Sequence, residues 1–218
     1  DNELGFYTPI LKGFLTEMGL EASQLGMQVL GGHGYIREHG MEQIARDARI
    51  ATLYEGTTGI QALDLLGRKV LLGSRGRCVR DFTAGMWKLG RTRALAGGAL
   101  GKMSRTLIRG AWQWNWVTTR LMLRARQDRD SVGAASVNYL MLGGYLMMAH
   151  FWLLQAIKAD ELLRSGRGQE SADFYLAKIQ TATFYFDHLL PRAKSHAQAA
   201  LADSRTLMQM RNEQFNLS

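Results

Sequence analysis

Ser136 to Ile157 (SVNYLMLGGYLMMAHFWLLQAI) runs for 22 residues without a charge, and this constrains the fold more than any other feature. A run of that length either crosses a bilayer or lies buried on all sides of a protein core. Asn138, His150 and Gln155 interrupt it, Gly143-Gly144 weaken it as a helix, and no second such run exists. These features favour the core reading, a central helix surrounded by other helices. The rest of the chain can supply them. Only two prolines, Pro9 and Pro191, occur in 218 residues, and no alternating strand pattern is visible. The expected fold class is therefore all-α.

Thr8-Pro9 reads as an N-cap followed by proline at the first helical position. Ile10, Leu11, Phe14, Leu15, Met18, Ala22, Leu25, Val29 and Leu30 then recur at helical spacing, with Gly19 as a kink point. The glycine cluster Gly31-Gly32-His33-Gly34 ends this helix. A short helix is expected over 41–50, and Thr52 to Gly59 reads as a turn with exposed backbone amides. Helical patterns return over 60–72, up to about Leu100, and over 102–127. Asp130-Ser131 is expected to cap a helix running to about Arg164, and Ser171 one running to about Leu190. Pro191 marks a break, and helix resumes to about Met210.

Charge divides the chain. Residues 1–74 hold 6 Lys/Arg and 9 Asp/Glu, whereas residues 75–129 hold 13 and 2. Two modules are expected, 1–74 and 75–218, with a boundary near Gly73 to Gly76. The basic stretch mixes Arg with Trp112, Trp114 and Trp116, a combination that can serve nucleic acid. Here the arginines Arg120, Arg124 and Arg126 alternate with apolar residues as a solvated helix face does, so no nucleic-acid partner is expected. Gly97 to Lys102 approaches a phosphate loop, but Ala96 and Met103 stand where that pattern needs Gly and Ser or Thr. Gly97 and Gly101 are expected instead to let helices approach closely. The five histidines form no metal-binding pair, and one cysteine, Cys78, excludes an intramolecular disulfide. No charged-then-apolar leader follows Asp1, and a cytoplasmic protein is expected.

One window carries chemistry. Gln28 to Tyr35 (QVLGGHGY) is a helix end that opens into glycine backbone able to approach a ligand closely. About twenty residues on, Glu55 stands in a turn rich in glycine and threonine. A lone carboxylate in such a turn is either a surface residue or a base presented by a loop.

QVLGGHGY (28–35), RDARI (46–50) and YEGTTGIQ (54–61), in this order and spacing, resemble the C-terminal helical domain of acyl-CoA dehydrogenases. The continuation IQALDLLGRKV (60–70) and the basic helical region behind it are most similar to the bacterial subgroup that includes 3-methylmercaptopropionyl-CoA dehydrogenase, which carries an extra C-terminal helical domain. The resemblance implies the end of a four-helix-bundle domain followed by a second helical bundle. It implies α,β-dehydrogenation of an acyl-CoA thioester, in which a carboxylate removes the α-proton while the β-hydride passes to FAD. By match to the motif, Glu55 is that base, and its N–H is one donor to the substrate carbonyl. The α-proton is barely acidic, so such a base must sit close and dry.

The same resemblance assigns Tyr54 and Gly56 to the substrate. It assigns Gln28, Gly31 and Gly32 to an FAD held mainly by a neighbouring subunit. Thr57, Thr58 and Gly59 fall on further FAD contacts, with Gly59 where several members carry Gln. Arg46 is expected to be structural, paired with Glu42. The implied parent is a homo-oligomer with electron-transfer flavoprotein as its electron acceptor, and it has no metal. The family fold also has an N-terminal helical domain and a middle β-barrel domain, which this chain does not contain, so the chain alone is expected to be inactive. Two rival readings remain: a non-catalytic helical assembly module or split subunit, and a membrane-associating helical protein.

Overall fold

The computed structural model of the chain describes residues 2–215, and all regular structure among them is helical. The helices are α1 (Asn2–Val29), α2 (Gly32–Tyr35), α3 (Met41–Ala51), α4 (Thr58–Leu63), α5 (Arg77–Arg91), α6 (Gly98–Arg124), α7 (Asp130–Ser165), α8 (Ala172–Phe184), α9 (Arg192–Ala200) and α10 (Arg205–Met208). Two π-helical segments, Asp64–Gly73 and Tyr185–Leu189, follow α4 and α8 directly.

The charge-free run lies inside α7, and α7 is the axis of the fold. It packs against α1, α4, α6, α8 and α9, while α5 pairs with α6. Leu140, Leu142, Tyr145, Leu146, Ala149, Leu153 and Ala156 of α7 are all buried. Most of its uncharged surface is covered by helices of the same chain, while Val137, Phe151 and Leu154 remain exposed. Three polar groups of the run find partners on other helices, while His150 Nδ1 is buried without one. Asn138 Oδ1 meets His196 Nδ1 at 2.9 Å, Tyr139 Oη meets Thr118 Oγ1 at 2.6 Å, and the Tyr145 carbonyl accepts from Tyr185 Oη at 2.9 Å. Gly143 and Gly144 weaken the helix for a reason. A Cβ on Gly143 would stand 2.8 Å from the Trp114 ring, and one on Gly144 2.2 Å from the Phe14 ring. These glycines let α6 and α1 reach the α7 backbone.

α1 begins earlier than expected. It starts at Asn2, so Pro9 lies inside it, and Thr8 is not a cap but donates its hydroxyl to the Leu4 carbonyl at 2.8 Å. The stripe Phe6, Ile10, Phe14 explains this. All three are buried, with Phe6 against Phe82 and Trp114. Burying Phe6 requires helix ahead of Pro9, and that burial outweighs the backbone hydrogen bond proline cannot donate. α1 also continues unbroken through Gly19.

Other boundaries shift for local reasons. α7 is capped by Asp128, whose carboxylate accepts from the Asp130 N–H at 3.0 Å and whose carbonyl accepts from Ser131 Oγ at 2.6 Å. Ser171 does cap α8, accepting from the Phe174 N–H at 3.2 Å. The helix expected to run to Met210 ends at Ala200, where Arg124 donates to the Leu201 and Ala202 carbonyls at 2.8 and 2.9 Å. Gly101 is needed because a Cβ there would stand 1.8 Å from the Ala96 carbonyl of its own loop, whereas Gly97 has open space. One continuous core joins Phe6, Ile10, Phe14, Leu65 and Leu66 to Trp114, Leu140 and Tyr145.

Candidate functional site

α3 ends at Ala51, and the chain turns through Thr52 to Thr57 before α4 begins. The Tyr54 N–H still reaches back to the Ile50 carbonyl at 3.1 Å, and the Gln61 N–H starts the next helix on the Thr57 carbonyl at 2.9 Å. Between them, the N–H groups of Glu55 and Gly56 donate to no acceptor among the described residues. Thr57 caps α4, its side chain accepting from the Ile60 N–H at 3.5 Å.

Glu55 sits at φ +31°, and among the described residues only Arg75 shares positive φ without being glycine. Left-handed backbone is costly for a residue with a Cβ, and it persists only where its surroundings impose it. Glu55 is exposed, and its carboxylate has no hydrogen-bond or ion-pair partner among the described residues. Gly56 follows at φ +86°, and the Gln61 side-chain amide lies where a Cβ would go, 2.2 Å away. Tyr54 is half exposed, and the Lys12 ammonium lies 4.4 Å from its ring centroid.

Two α1 side chains reach the ends of this turn. Lys12 Nζ donates to the Ala51 carbonyl at 2.7 Å, and the Glu17 carboxylate accepts from Thr58 Oγ1. Neither residue stands out in the sequence. They lie on the polar side of an amphipathic helix, 39 and 41 residues from their partners, and no local pattern links them.

The glycine corner is a separate place. Gln28, Gly31 and Gly32 are exposed, Gly31 has φ +58°, and a Cβ on either glycine would meet nothing within 4 Å. Gln28 is eleven residues beyond Glu17 on α1, about 17 Å along the axis at the usual helical rise. The structure therefore gives two surfaces: an open glycine backbone near the end of α1, and the turn at its middle. Arg46 pairs with Glu42 at 3.5 Å as expected.

The remaining titratable groups lie elsewhere. A cleft of about 770 Å³ between α1, the first π-helical segment, α5 and α7 is lined by Tyr7, Arg68, Cys78 and His150 among others, and holds none of the candidate residues. Burial pushes the Cys78 thiol above its usual range, with Ser74 Oγ 3.0 Å from the sulfur. That is the environment of an unreactive thiol. No cluster of three metal-ligating side chains occurs among the described residues.

Residues 29–63 also carry exposed apolar side chains. α3 has no buried residue, and Val29, Tyr35, Ile44, Ile50, Leu53, Ile60 and Leu63 are all exposed. Exposed apolar side chains in such number are characteristic of surfaces that meet another protein or a membrane.

Comparison with known proteins agrees with the motifs. The family profile described as "Acyl-CoA dehydrogenase, C-terminal domain" matches residues 2–71, and that described as "Acetyl-CoA dehydrogenase C-terminal like" matches residues 79–211. The chain is 38% identical to 3-methylmercaptopropionyl-CoA dehydrogenase of Ruegeria pomeroyi over 185 residues, covering 85% of this chain and 31% of that protein. It is 32% identical to the broad-specificity linear acyl-CoA dehydrogenase FadE5 of Mycobacterium tuberculosis, covering 95% of this chain and 34% of the relative. A butyryl-CoA dehydrogenase of Syntrophomonas wolfei is 28% identical, with 95% and 34% covered. The chain thus spans about one third of the length of these relatives. On its motifs, its two profile matches and these relatives, the chain belongs to the acyl-CoA dehydrogenase family.

Proposed function

We propose that this chain is the C-terminal helical part of an FAD-dependent acyl-CoA dehydrogenase and that Glu55 is the base that takes the α-proton of an acyl-CoA thioester. The observation that carries the reading is the backbone of Glu55. It stands at φ +31° in an exposed turn, with its carboxylate and its N–H both without partners among the described residues. A residue held at a conformational cost, with both its polar groups spare, suits a base that must also donate to a developing oxyanion. By the resemblance Gly56 and Tyr54 face the substrate, with the Gln61 side-chain amide taking the space a Gly56 side chain would need.

When bound, FAD accepts the β-hydride. The residues of this chain fit an edge of that group and not a whole site. Gln28, Gly31 and Gly32 offer open backbone, while the Thr58 hydroxyl is already given to Glu17, leaving Thr57, Thr58 and Gly59 to contribute mainly main chain. By the resemblance, Gln28, Gly31 and Gly32 meet an FAD held mainly by a neighbouring subunit, so the assembled enzyme is a homo-oligomer. The exposed apolar face of α3 and its neighbours is where the flavin-bearing domains and the second subunit would sit, and their docking would supply the dry surroundings Glu55 needs. In this reading residues 1–74 complete the dehydrogenase bundle and 75–218 form the extension. The assembled enzyme is cytoplasmic and passes electrons to an electron-transfer flavoprotein. One relative is itself described as a subunit of a caffeyl-CoA reductase-Etf complex.

The test is the natural protein that carries this sequence, purified with its flavin. Acyl-CoA-dependent reduction of an artificial electron acceptor is expected, and Glu55→Gln should abolish it while the flavin absorbance stays. Turnover that survives Glu55→Gln overturns the assignment. The 218-residue chain alone is expected to hold no stoichiometric flavin and to show no turnover. A natural protein with neither flavin nor turnover would instead favour the assembly-module reading.

A further inference from the structure

We infer that Lys12 and Glu17 are the positioning residues of the Glu55 turn, clamping its two ends to α1 so that Glu55 is held in left-handed backbone. The inference rests on the reading of Glu55 as the base, but its physical content is independent of that chemistry.

The turn cannot hold its own shape. The last backbone hydrogen bond from α3 ends at Tyr54, the next begins at Gln61, and Glu55 and Gly56 donate to nothing among the described residues. Yet Glu55 adopts a conformation that a free chain would leave. The packing of α3 and α4 on α1 sets where it starts and ends, and two α1 side chains reach those points directly. Lys12 fixes the start twice over, through a hydrogen bond of 2.7 Å to the Ala51 carbonyl and through the cation–π contact with Tyr54. The carbonyl sits where α3 runs out of N–H donors of its own, so a charged donor there closes the helix end. Glu17 fixes the end, because its carboxylate takes the hydroxyl of Thr58, the first residue of α4.

The two α1 residues are five apart, about 7.5 Å along the helix, which sets the span the six-residue turn must cover. Six residues are far longer than that span, so the slack bulges outward, and Glu55 lies within the bulge. α1 is itself tied into the core by its buried stripe, with Phe6 against Phe82 and Trp114 and Phe14 against Tyr145, so the clamp stands on an anchored helix.

A general staple between helices would behave differently. It would lower global stability without singling out the turn, and it would not separate kcat from KM. The first test is residue-resolved amide hydrogen exchange in the 218-residue chain. Lys12→Met is expected to speed exchange of the Tyr54 amide at least 10-fold, and Glu17→Ala that of the Gln61 amide, while the amides of Leu140 and Leu142 in α7 keep their rates. Lys12→Arg and Glu17→Gln, which keep a donor and an acceptor, should restore protection. In the flavin-containing natural protein, Lys12→Met should lower kcat 10- to 100-fold with flavin content and KM for acyl-CoA unchanged. Unchanged exchange at Tyr54 and Gln61 overturns the clamp, whatever Glu55 does. Faster exchange together with turnover that survives Glu55→Gln leaves the clamp standing and removes only the base.

Discussion

Arg192 Nη1 lies 2.6 and 2.8 Å from the two carboxylate oxygens of Glu21, joining α9 to α1 across 171 residues of chain. The same atom donates to Tyr145 Oη at 3.4 Å. Glu21 is one helical turn beyond Glu17, so a single stripe of α1 meets both Thr58 at the start of α4 and Arg192 at the start of α9. The pair is partly open to water, which limits its worth to about 0.5–1 kcal/mol. Glu21→Gln is expected to lower stability by about that much in dilute buffer, and the difference should shrink in 1 M salt, where roughly 3 Å screening lengths apply. Urea unfolding at the two salt concentrations measures both.

Gly144→Ala should be among the most damaging single methyl additions to this chain. The new Cβ would stand 2.2 Å from Cγ and Cδ2 of Phe14, whose ring is 3% exposed and packed edge-on against Tyr145. A buried ring cannot swing away as the tip of a long side chain can. Forcing α1 and α7 apart costs about 1–3 kcal/mol, or more where the backbone cannot shift. Gly133→Ala is the matched control, since it lies in the same helix with nothing within 4 Å of the added atom. It should stabilise by about 0.5–1 kcal/mol through helix propensity. Opposite shifts of the urea midpoint would confirm the pair of expectations, and a shift of the same sign would refute them.

The axis of the fold was readable in advance because a charge-free run of helical residues has few places to go. α7 became that axis, and of its interrupting residues Asn138 is paired with His196 of α9, whereas His150 Nδ1 is buried without a partner. The candidate turn was readable only through resemblance. Taken by themselves, Glu55 and its glycines are indistinguishable from a surface loop. What sequence could not disclose was anything depending on distant partners. Pro9 lies within a helix because Phe6 needs Trp114, which is more than a hundred residues away. Lys12 and Glu17 looked like ordinary polar positions of an amphipathic helix. Asp128 took the cap expected of Asp130 because the α6–α7 connection folds its carboxylate back onto the following N–H.

His150 makes stability depend on pH in a definite direction. Its Nδ1 is buried without a partner, Phe82 and Phe151 pack on its ring, and burial pushes its pKa below the ordinary imidazole value. His196 shifts the same way, through burial and then through Arg192. In the unfolded chain these imidazoles take up protons near pH 6.5, whereas in the folded chain they do so only at lower pH. The unfolded state therefore binds more protons in that window, and stability is lost as pH falls below about 6.5. Urea unfolding at pH 7.5, 6.5 and 5.5 should show that decline, and His150→Phe should make it shallower. An equally steep decline in the variant would assign the effect to other groups.

Glu55→Gly should make the protein more stable while removing the proposed base. Glutamate at φ +31° bears a steric cost of about 1–2 kcal/mol that glycine does not. Glycine gives some of that back, because it loses more freedom on folding, by about 0.5–1 kcal/mol. The balance is a gain of up to about 1 kcal/mol, seen as a higher urea midpoint in the 218-residue chain. No hydrogen bond or ion pair opposes the gain, since the carboxylate has no such partner among the described residues. In the flavin-containing natural protein the same substitution should abolish acyl-CoA oxidation. A residue whose removal raises stability is kept for something other than stability, and here that is the proposed proton transfer. If Glu55→Gly instead lowers stability, the left-handed backbone at this position is not strained, and the main structural support for the catalytic reading falls with it.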